Sequence, residues 1–438
     1  MSEVHYEFGG PIGAALITAS LPFVVLGLCI ICGEEYCLQG FQFDTLGGAL
    51  DQLPRSLGDL FSPVAFTICL QWLLFQILLD RVLPGKTVDG VLLEDGSRLP
   101  YKMSGHAAFW TSLVSPTLCS AWSHRALGIS GLGGVASTGF KLSVLYDLYE
   151  ELAVAAATIS IILSIGLYLA SRRSGAKLAG AAGTVGRSVI YDFYIGRELN
   201  PRIGPLDLKF FCELRPGLIG WVIINLGMMS KQREMQGFVS ASMIMVNLLQ
   251  GLYVWDGLYF ETAILTTMDI TTEGFGFMLA FGDLCWVPFT YSLQAHYLVT
   301  NDPGLPLWAV GVISCLGLVG YVIFRGANGQ KDAFRRDPNA SAVSHLQWMP
   351  TERGTKLLTS GWWGAARKIN YTGDWIMGLS WCMFAGFDSP VPYFYAIYFA
   401  VLLVHRALRD DHACAAKYGP DWMTYKQKVP SLFVPGLF

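Results

Sequence analysis

The sequence predicts an all-α polytopic membrane protein, and three observations carry that expectation. Of its 438 residues, 53% are hydrophobic and only 14% charged, too oily and charge-poor for a chain bathed in water on every side. Apolar stretches near the length that crosses a bilayer, about 20 residues, recur near 11–33, 61–83, 103–122, 142–171, 216–230, 237–259, 275–299 and 305–325. Charge is also sorted: the loop 33–61 holds Glu34, Glu35, Asp44, Asp51 and Asp59 against Arg55, whereas 172–215 and 325–372 are rich in Arg and Lys. Basic loops stay on the cytoplasmic side.

Taken in order, the first span follows Glu3 and Glu7 instead of a basic leader, so it is expected to be retained. It contains Cys29-x-x-Cys32 with no second pair, which reads as packing rather than metal or redox chemistry. The span at 103–122 contains His106, and that at 142–171 opens with Asp147, Glu150 and Glu151. Those charges belong either to the interface or to a functional cavity. Gly-rich 131–139 and 174–186 lack a complete phosphate-loop pattern and read as connectors. The segment Tyr191–Arg202, continued by Asp207, Lys209, Glu213 and Arg215, reads as an ordered cytoplasmic loop with mutually paired charges.

The span at 237–259 ends near Asp256 and Glu261, and 275–299 carries Asp283, Trp286, Tyr291, Gln294 and His296, either as packing or as a polar cavity lining. The last apolar stretch, 375–405, is interrupted by Asp388-Ser-Pro-Val-Pro392 and therefore reads as two short helices, for a total of about ten. Ten spans place both termini in the cytoplasm. The expected organisation is an N-terminal bundle, 1–230, with its cytoplasmic loop 172–215, and a C-terminal half, 231–438, in one integrated unit. A net charge of -3 gives no footprint for nucleic acid.

One polar block interrupts the oily pattern. Ser360–Asp374 contains Trp363, Arg367, Lys368, Asn370 and Tyr371, and a helix is expected from about Val391 to Lys417, stopped by Gly419-Pro420, with Asp421 capping a second helix. Arg406, Asp410, Cys414 and Tyr418 recur every four residues and so share one face, with Lys417 beside them. Upstream, Lys331 and Arg335 are four apart, a spacing that forms a two-pronged phosphate clamp on a helix. Cations, aromatic plates and Asn or Asp together describe a dinucleotide site on the cytoplasmic side.

Tyr191–Arg202, Glu213-Leu-Arg-Pro-Gly217, Gly274–Leu279, Leu357–Gly364, Arg367–Asp374 and His405–Asp411 are long motifs set in order along nearly the whole chain. Together they resemble the sterol reductase family, which includes Δ14-sterol reductases, 7-dehydrocholesterol reductase and the membrane half of the lamin B receptor. Arg367-Lys-Ile-Asn370 with Asp374-Trp375 is most similar to the Δ14 branch. The apparent lack of a soluble N-terminal domain sets the expected architecture apart from the lamin receptor.

The resemblance implies a ten-helix fold with NADPH in a C-terminal, cytoplasm-facing pocket and the sterol entering from the bilayer beside it. Carried over by position, the cofactor contacts are Lys331, Arg335, Leu358, Trp363, Asn370, Tyr371, Asp410, Cys414, Lys417, Tyr418 and Tyr425, with Arg406 and Asp410 counted in the catalytic set; no metal is implied. Ser431-Leu432-Phe433 departs from the family's usual Tyr-Arg. An isolated alkene must be protonated before it accepts hydride, so the enzyme needs a buried acid. Tyr253, Asp256 and Glu261 are the candidates, Tyr253 first because a phenol tolerates burial uncharged.

Two other readings stay open. Lys417-Tyr-Gly-x-x-Trp-x-x-Tyr425 is also similar to isoprenylcysteine-type methyltransferases, but their S-adenosylmethionine carries no phosphate for Lys331 and Arg335 to hold. A non-enzymatic sterol-binding or transport protein would use the same cavity without consuming NADPH. The host membrane is a bacterial inner membrane or the endoplasmic reticulum.

Overall fold

A computed structural model describes residues 6–32, 57–93, 96–126, 141–173, 178 and 185–437, with only the backbone described over 116–126. Most of the acidic loop 33–61, the Gly-rich segment 131–139 and nearly all of 174–186 therefore lie outside the described residues. Contacts divide the chain into two compact units, Met1–Asn301 and Asp302–Phe438.

The first unit contains α1 (Gly10–Ile31), α2 (Pro63–Val82), the hairpin β1–β2 (Lys86–Asp89 and Pro100–Met103), α3 (Gly105–Ala126), α4 (Tyr149–Ala170) and α5 (Val189–Ile195). The two-residue strands β3 (Arg202–Ile203) and β4 (Leu206–Asp207) follow, then α6 (Leu208–Leu214), α7 (Pro216–Gln236) and α8 (Ala241–Tyr259). Local chemistry starts these helices where the chain needs them. Ser62, Ser188, Asp207 and Ser240 each accept a backbone N–H from the first turn of α2, α5, α6 and α8, satisfying donors that the helix itself cannot. Helix α7 runs through residue 230 and packs against α8.

The span expected at 275–299 is not one helix. It runs as Phe277–Phe281, a π-helical turn at Gly282–Trp286, then Val287–Thr290 and Leu293–Leu298. The turn sits where Gly217 lies directly on the backbone of Asp283, an approach that a Cβ would block. Gln294 donates no charge to a cavity here; its Oε1 accepts from Gln250, which in turn accepts from Trp221 and Asn225. His296 is buried and stacked on Tyr149, with ring centroids 4.4 Å apart. Cys29 and Cys32 are buried thiols, and Cys32 Sγ donates to Leu293 O.

The second unit contains α9 (Leu307–Arg336), the hairpin β5–β6 (Trp348–Pro350 and Lys356–Leu358), α10 (Trp362–Ala365), α11 (Ile369–Met383), α12 (Phe394–Tyr418) and α13 (Pro420–Lys428). Helices α9 and α11 cross at glycines: a Cβ on Gly320 would stand 2.7 Å from Gly373 O, and one on Gly373 would stand 2.6 Å from Gly320 O. The interrupted stretch 375–405 resolves into the end of α11 and the start of α12, with Asp388–Pro390 and a 3-10 turn at Val391–Tyr393 between them.

Six described helices are long and apolar enough to cross a membrane: Gly10–Ile31, Pro63–Val82, Tyr149–Ala170, Leu208–Gln236, Leu307–Arg336 and Val391–Tyr418. They carry exposed apolar side chains such as Leu16, Ile162, Trp308 and Val322, which a bilayer would cover. The protein is mostly helical, with six candidate membrane-spanning helices among the described residues. The all-α expectation missed the three short hairpins among the described residues, each of which lies between helices.

Candidate active site

In the first unit the charged motif segments close on themselves. Asp192 pairs with Arg197 at 3.3 Å, and its carboxylate accepts from Gly186 N; Arg202 pairs with Asp207 at 3.1 Å and lies over the Tyr101 ring. Arg215, 1% exposed, pairs with Asp80 at 3.0 Å and donates to Ser104 Oγ. Gly196 approaches Gly274 and Gly276 so closely that a Cβ on any of the three would meet backbone, while Phe275 N donates to Glu198 O and Phe193 stacks on Phe277. Two motifs 80 residues apart thus form one backbone junction.

The proposed acids lie in this unit. Tyr253 on α8 is half-buried, edge-on to Trp221. Asp256, one turn on, is buried. Glu261, just beyond α8 in a 3-10 turn, is buried, and its Oε2 accepts from Gly105 N at 2.9 Å. Burial pushes the Glu261 carboxyl up to about 7, partly opposed by that hydrogen bond and by Arg215, and reinforced by Asp80.

In the second unit the polar block folds around α9. Trp363 Nε1 donates to Ala327 O at 2.7 Å, and Lys331 Nζ sits 4.1 Å from the centre of the Trp363 ring, a cation–π contact. Lys368, at the start of α11, pairs with Asp410 on α12. Arg335, Lys368, Asp410 and Cys414 all act electrostatically on Lys331, and Lys417 acts on Cys414. Asn370 donates to Asn328 Oδ1 at 3.3 Å, while its own Oδ1 is buried without a hydrogen-bond partner among the described residues. Tyr371 is half-buried beneath Lys368, and Arg406 is half-buried one turn before Asp410.

The i,i+4 stripe on α12 is therefore real, and Cys414 Sγ lies 3.9 Å from Asp410 Oδ2. Tyr418 turns to stack on Trp422. Leu358 belongs to a core with Phe334, Trp363 and Ile369, and Tyr425 to another with Met349, Trp422 and Val429, its OH 3.5 Å from Trp363 O. Burial raises the Tyr425 phenol to about 12.

One detail corrects the expected cap. Gly419, at φ 54°, precedes α13, so Asp421 lies within the helix rather than before it, and its carboxylate accepts from Glu352 N in the β5–β6 turn. Lys368, the partner of Asp410, was absent from the expected contact set; its nearness to the Trp363–Tyr371 block was the available signal. The Ser431–Phe433 departure is also absorbed. Carbonyls of residues 431, 432 and 433 accept from Arg367 N, Lys368 N and Thr372 Oγ1, contacts that side-chain identity does not control.

Among these described groups four are cations, Lys331, Arg335, Lys368 and Lys417, and one is a carboxylate, Asp410, which pairs with Lys368 and acts on Lys331. That excess and the unpaired Asn370 Oδ1 fit an anionic ligand bearing an amide or amine donor. Among the described residues no group of His, Cys, Asp or Glu is arranged to hold a metal ion.

Comparison with known proteins agrees over the full length. The chain matches the ergosterol biosynthesis ERG4/ERG24 family across residues 2–438. It is 44% identical to Delta(14)-sterol reductase erg24 of Schizosaccharomyces pombe, over 100% of this chain and 98% of that protein. It is 42% identical to Delta(14)-sterol reductase TM7SF2 of Mus musculus, over 100% of this chain and 99% of that protein. It is 44% identical to Delta(14)-sterol reductase LBR of Gallus gallus, over 97% of this chain but 63% of that longer protein. The chain belongs to the ERG4/ERG24 family of sterol biosynthesis.

Proposed function

We propose that this protein is an oxidoreductase that reduces a sterol ring double bond, the Δ14 bond, with NADPH, in sterol biosynthesis. The observation that carries the proposal is the cation excess around Asp410, in a chain 44% identical to a Delta(14)-sterol reductase over its whole length. Lys331 and Arg335 would hold the phosphates, Trp363 and Tyr371 would offer aromatic faces, and Asn370 would present its free Oδ1 to an amide N–H. Leu358, Cys414, Lys417, Tyr418 and Tyr425 complete the contact set. When bound, NADPH supplies the hydride.

The protein's own task is the proton. Tyr253 is the proposed acid: a phenol keeps its proton when buried, so it can protonate the alkene without first being desolvated as a charge. Asp256 and Glu261 are the next candidates, and Glu261 is already committed to the Gly105 N–H. The resulting carbocation is best served by aromatic faces and by the exclusion of water. Arg406 and Asp410 are assigned to the second unit's contribution, Asp410 keeping Lys368 in place.

The same proposal has ten spans, both termini in the cytoplasm and the cofactor pocket facing it, in a bacterial inner membrane or the endoplasmic reticulum. Its partners are the sterol drawn from the bilayer and membrane lipid, with no nucleic acid. Incubating the purified protein with a Δ14 sterol and NADPH and weighing the sterol tests it. A gain of two hydrogens supports reduction; bound but unaltered sterol would favour a binding or transport protein, and transfer of a methyl group from S-adenosylmethionine would favour the methyltransferase.

A further inference from the structure

Four consecutive-face positions on α9 meet the short helix α10. Trp362 packs closely against Gly326, where a Cβ would stand 2.9 Å from its ring nitrogen. Ala327 O accepts from Trp363 Nε1, and Lys331 covers the Trp363 ring. Between these contacts Gln330 Oε1 accepts the Trp362 backbone N–H at 3.0 Å. That N–H is the first of α10 and has no partner within a helix of four residues. The preceding Gly361 has φ 63°, and the Gln330 amide lies where its Cβ would be, 2.6 Å away. A four-residue helix is too short to hold itself together, so its start is fixed from outside, by Gln330.

We propose that Gln330 is a positioning residue of the cofactor pocket: by accepting the Trp362 N–H it fixes the start of α10, and with it the Trp363 plate beneath Lys331. The inference rests on the NADPH reading of this site and adds a residue to it. It is tested by steady-state kinetics of purified Gln330→Met, which keeps the shape but removes the acceptor, and Gln330→Asn, which draws the acceptor back, beside Lys331→Ala.

Gln330→Met raises the KM for NADPH about tenfold, the order of one lost hydrogen bond, and leaves kcat within about twofold; Gln330→Asn shifts KM in the same direction by less. A merely structural role would lower the unfolding temperature without moving KM. If Lys331→Ala raises KM while both Gln330 variants keep the wild-type value, the positioning role is wrong. If Lys331→Ala also leaves KM unchanged, the NADPH site itself is misassigned and the inference falls with it. Should Gln330→Met fail to fold, the milder Gln330→Asn carries the same test.

Discussion

The two units use charge in opposite ways. In the first, motif residues pair with one another: Asp192 with Arg197, Arg202 with Asp207, Asp80 with Arg215. In the second, Lys368 pairs with Asp410, while Arg335 and Lys368 crowd Lys331 and Lys417 lies near Cys414. Both stretches look alike as sequence, charged and aromatic between apolar spans. The difference is stoichiometry: a balanced buried set orders a fold, whereas an excess of one sign needs a ligand of the other.

The largest expected effect is on the fold of the second unit. Gly373→Leu forces a side chain into backbone 2.6 Å away where α9 crosses α11, and should abolish monodisperse protein on size-exclusion chromatography, since overpacking against backbone has no rotamer escape. Next comes chemistry. Tyr253→Phe should fold and bind NADPH normally yet lose about 10²- to 10⁴-fold in kcat, the usual worth of a positioned acid. Near-normal turnover of Tyr253→Phe would remove it from the mechanism.

The sharpest test of the contrast between the units pairs two charge deletions. Lys331→Ala should raise the KM for NADPH about 10- to 100-fold, as expected for one charge-assisted contact, with little change in unfolding temperature. Arg197→Ala should do the reverse, lowering the unfolding temperature by several degrees and leaving KM alone, because it strands the buried Asp192. Equal effects of both on KM would erase the distinction.

The smallest effect concerns Glu261. Its folded pKa of about 7 lies above the ordinary 4.5, so the folded state binds the proton more tightly than the unfolded state does. Its contribution to stability is fully present below about pH 4.5 and is lost as pH rises to about 7. Glu261→Gln, neutral throughout, should flatten that part of the unfolding-temperature profile; an unchanged slope from pH 5 to 7.5 would show that another group titrates.

Much of this was legible in the sequence where the signal is local. The four-residue recurrence of Arg406, Asp410, Cys414 and Tyr418 placed them on one helix face, and the prolines at 390 and 392 marked the break before α12. Long-range pairing left no such mark: nothing in the spacing joins Lys368 to Asp410, or Gly196 to Gly274 and Gly276. The π turn at Gly282–Trp286, where Gly217 lies against the backbone of Asp283, was not anticipated either. Asp421 was misread as a cap since Asp at a helix start usually caps, and only the fold brings Glu352 N to it.

The most direct test of the account follows the two hydrogens separately. The purified protein is given a Δ14 sterol in ordinary water with NADPH carrying deuterium at the transferable position of its nicotinamide. The account predicts a product with one deuterium from the cofactor and one hydrogen from water. Product without deuterium, or sterol unchanged in mass, would contradict it.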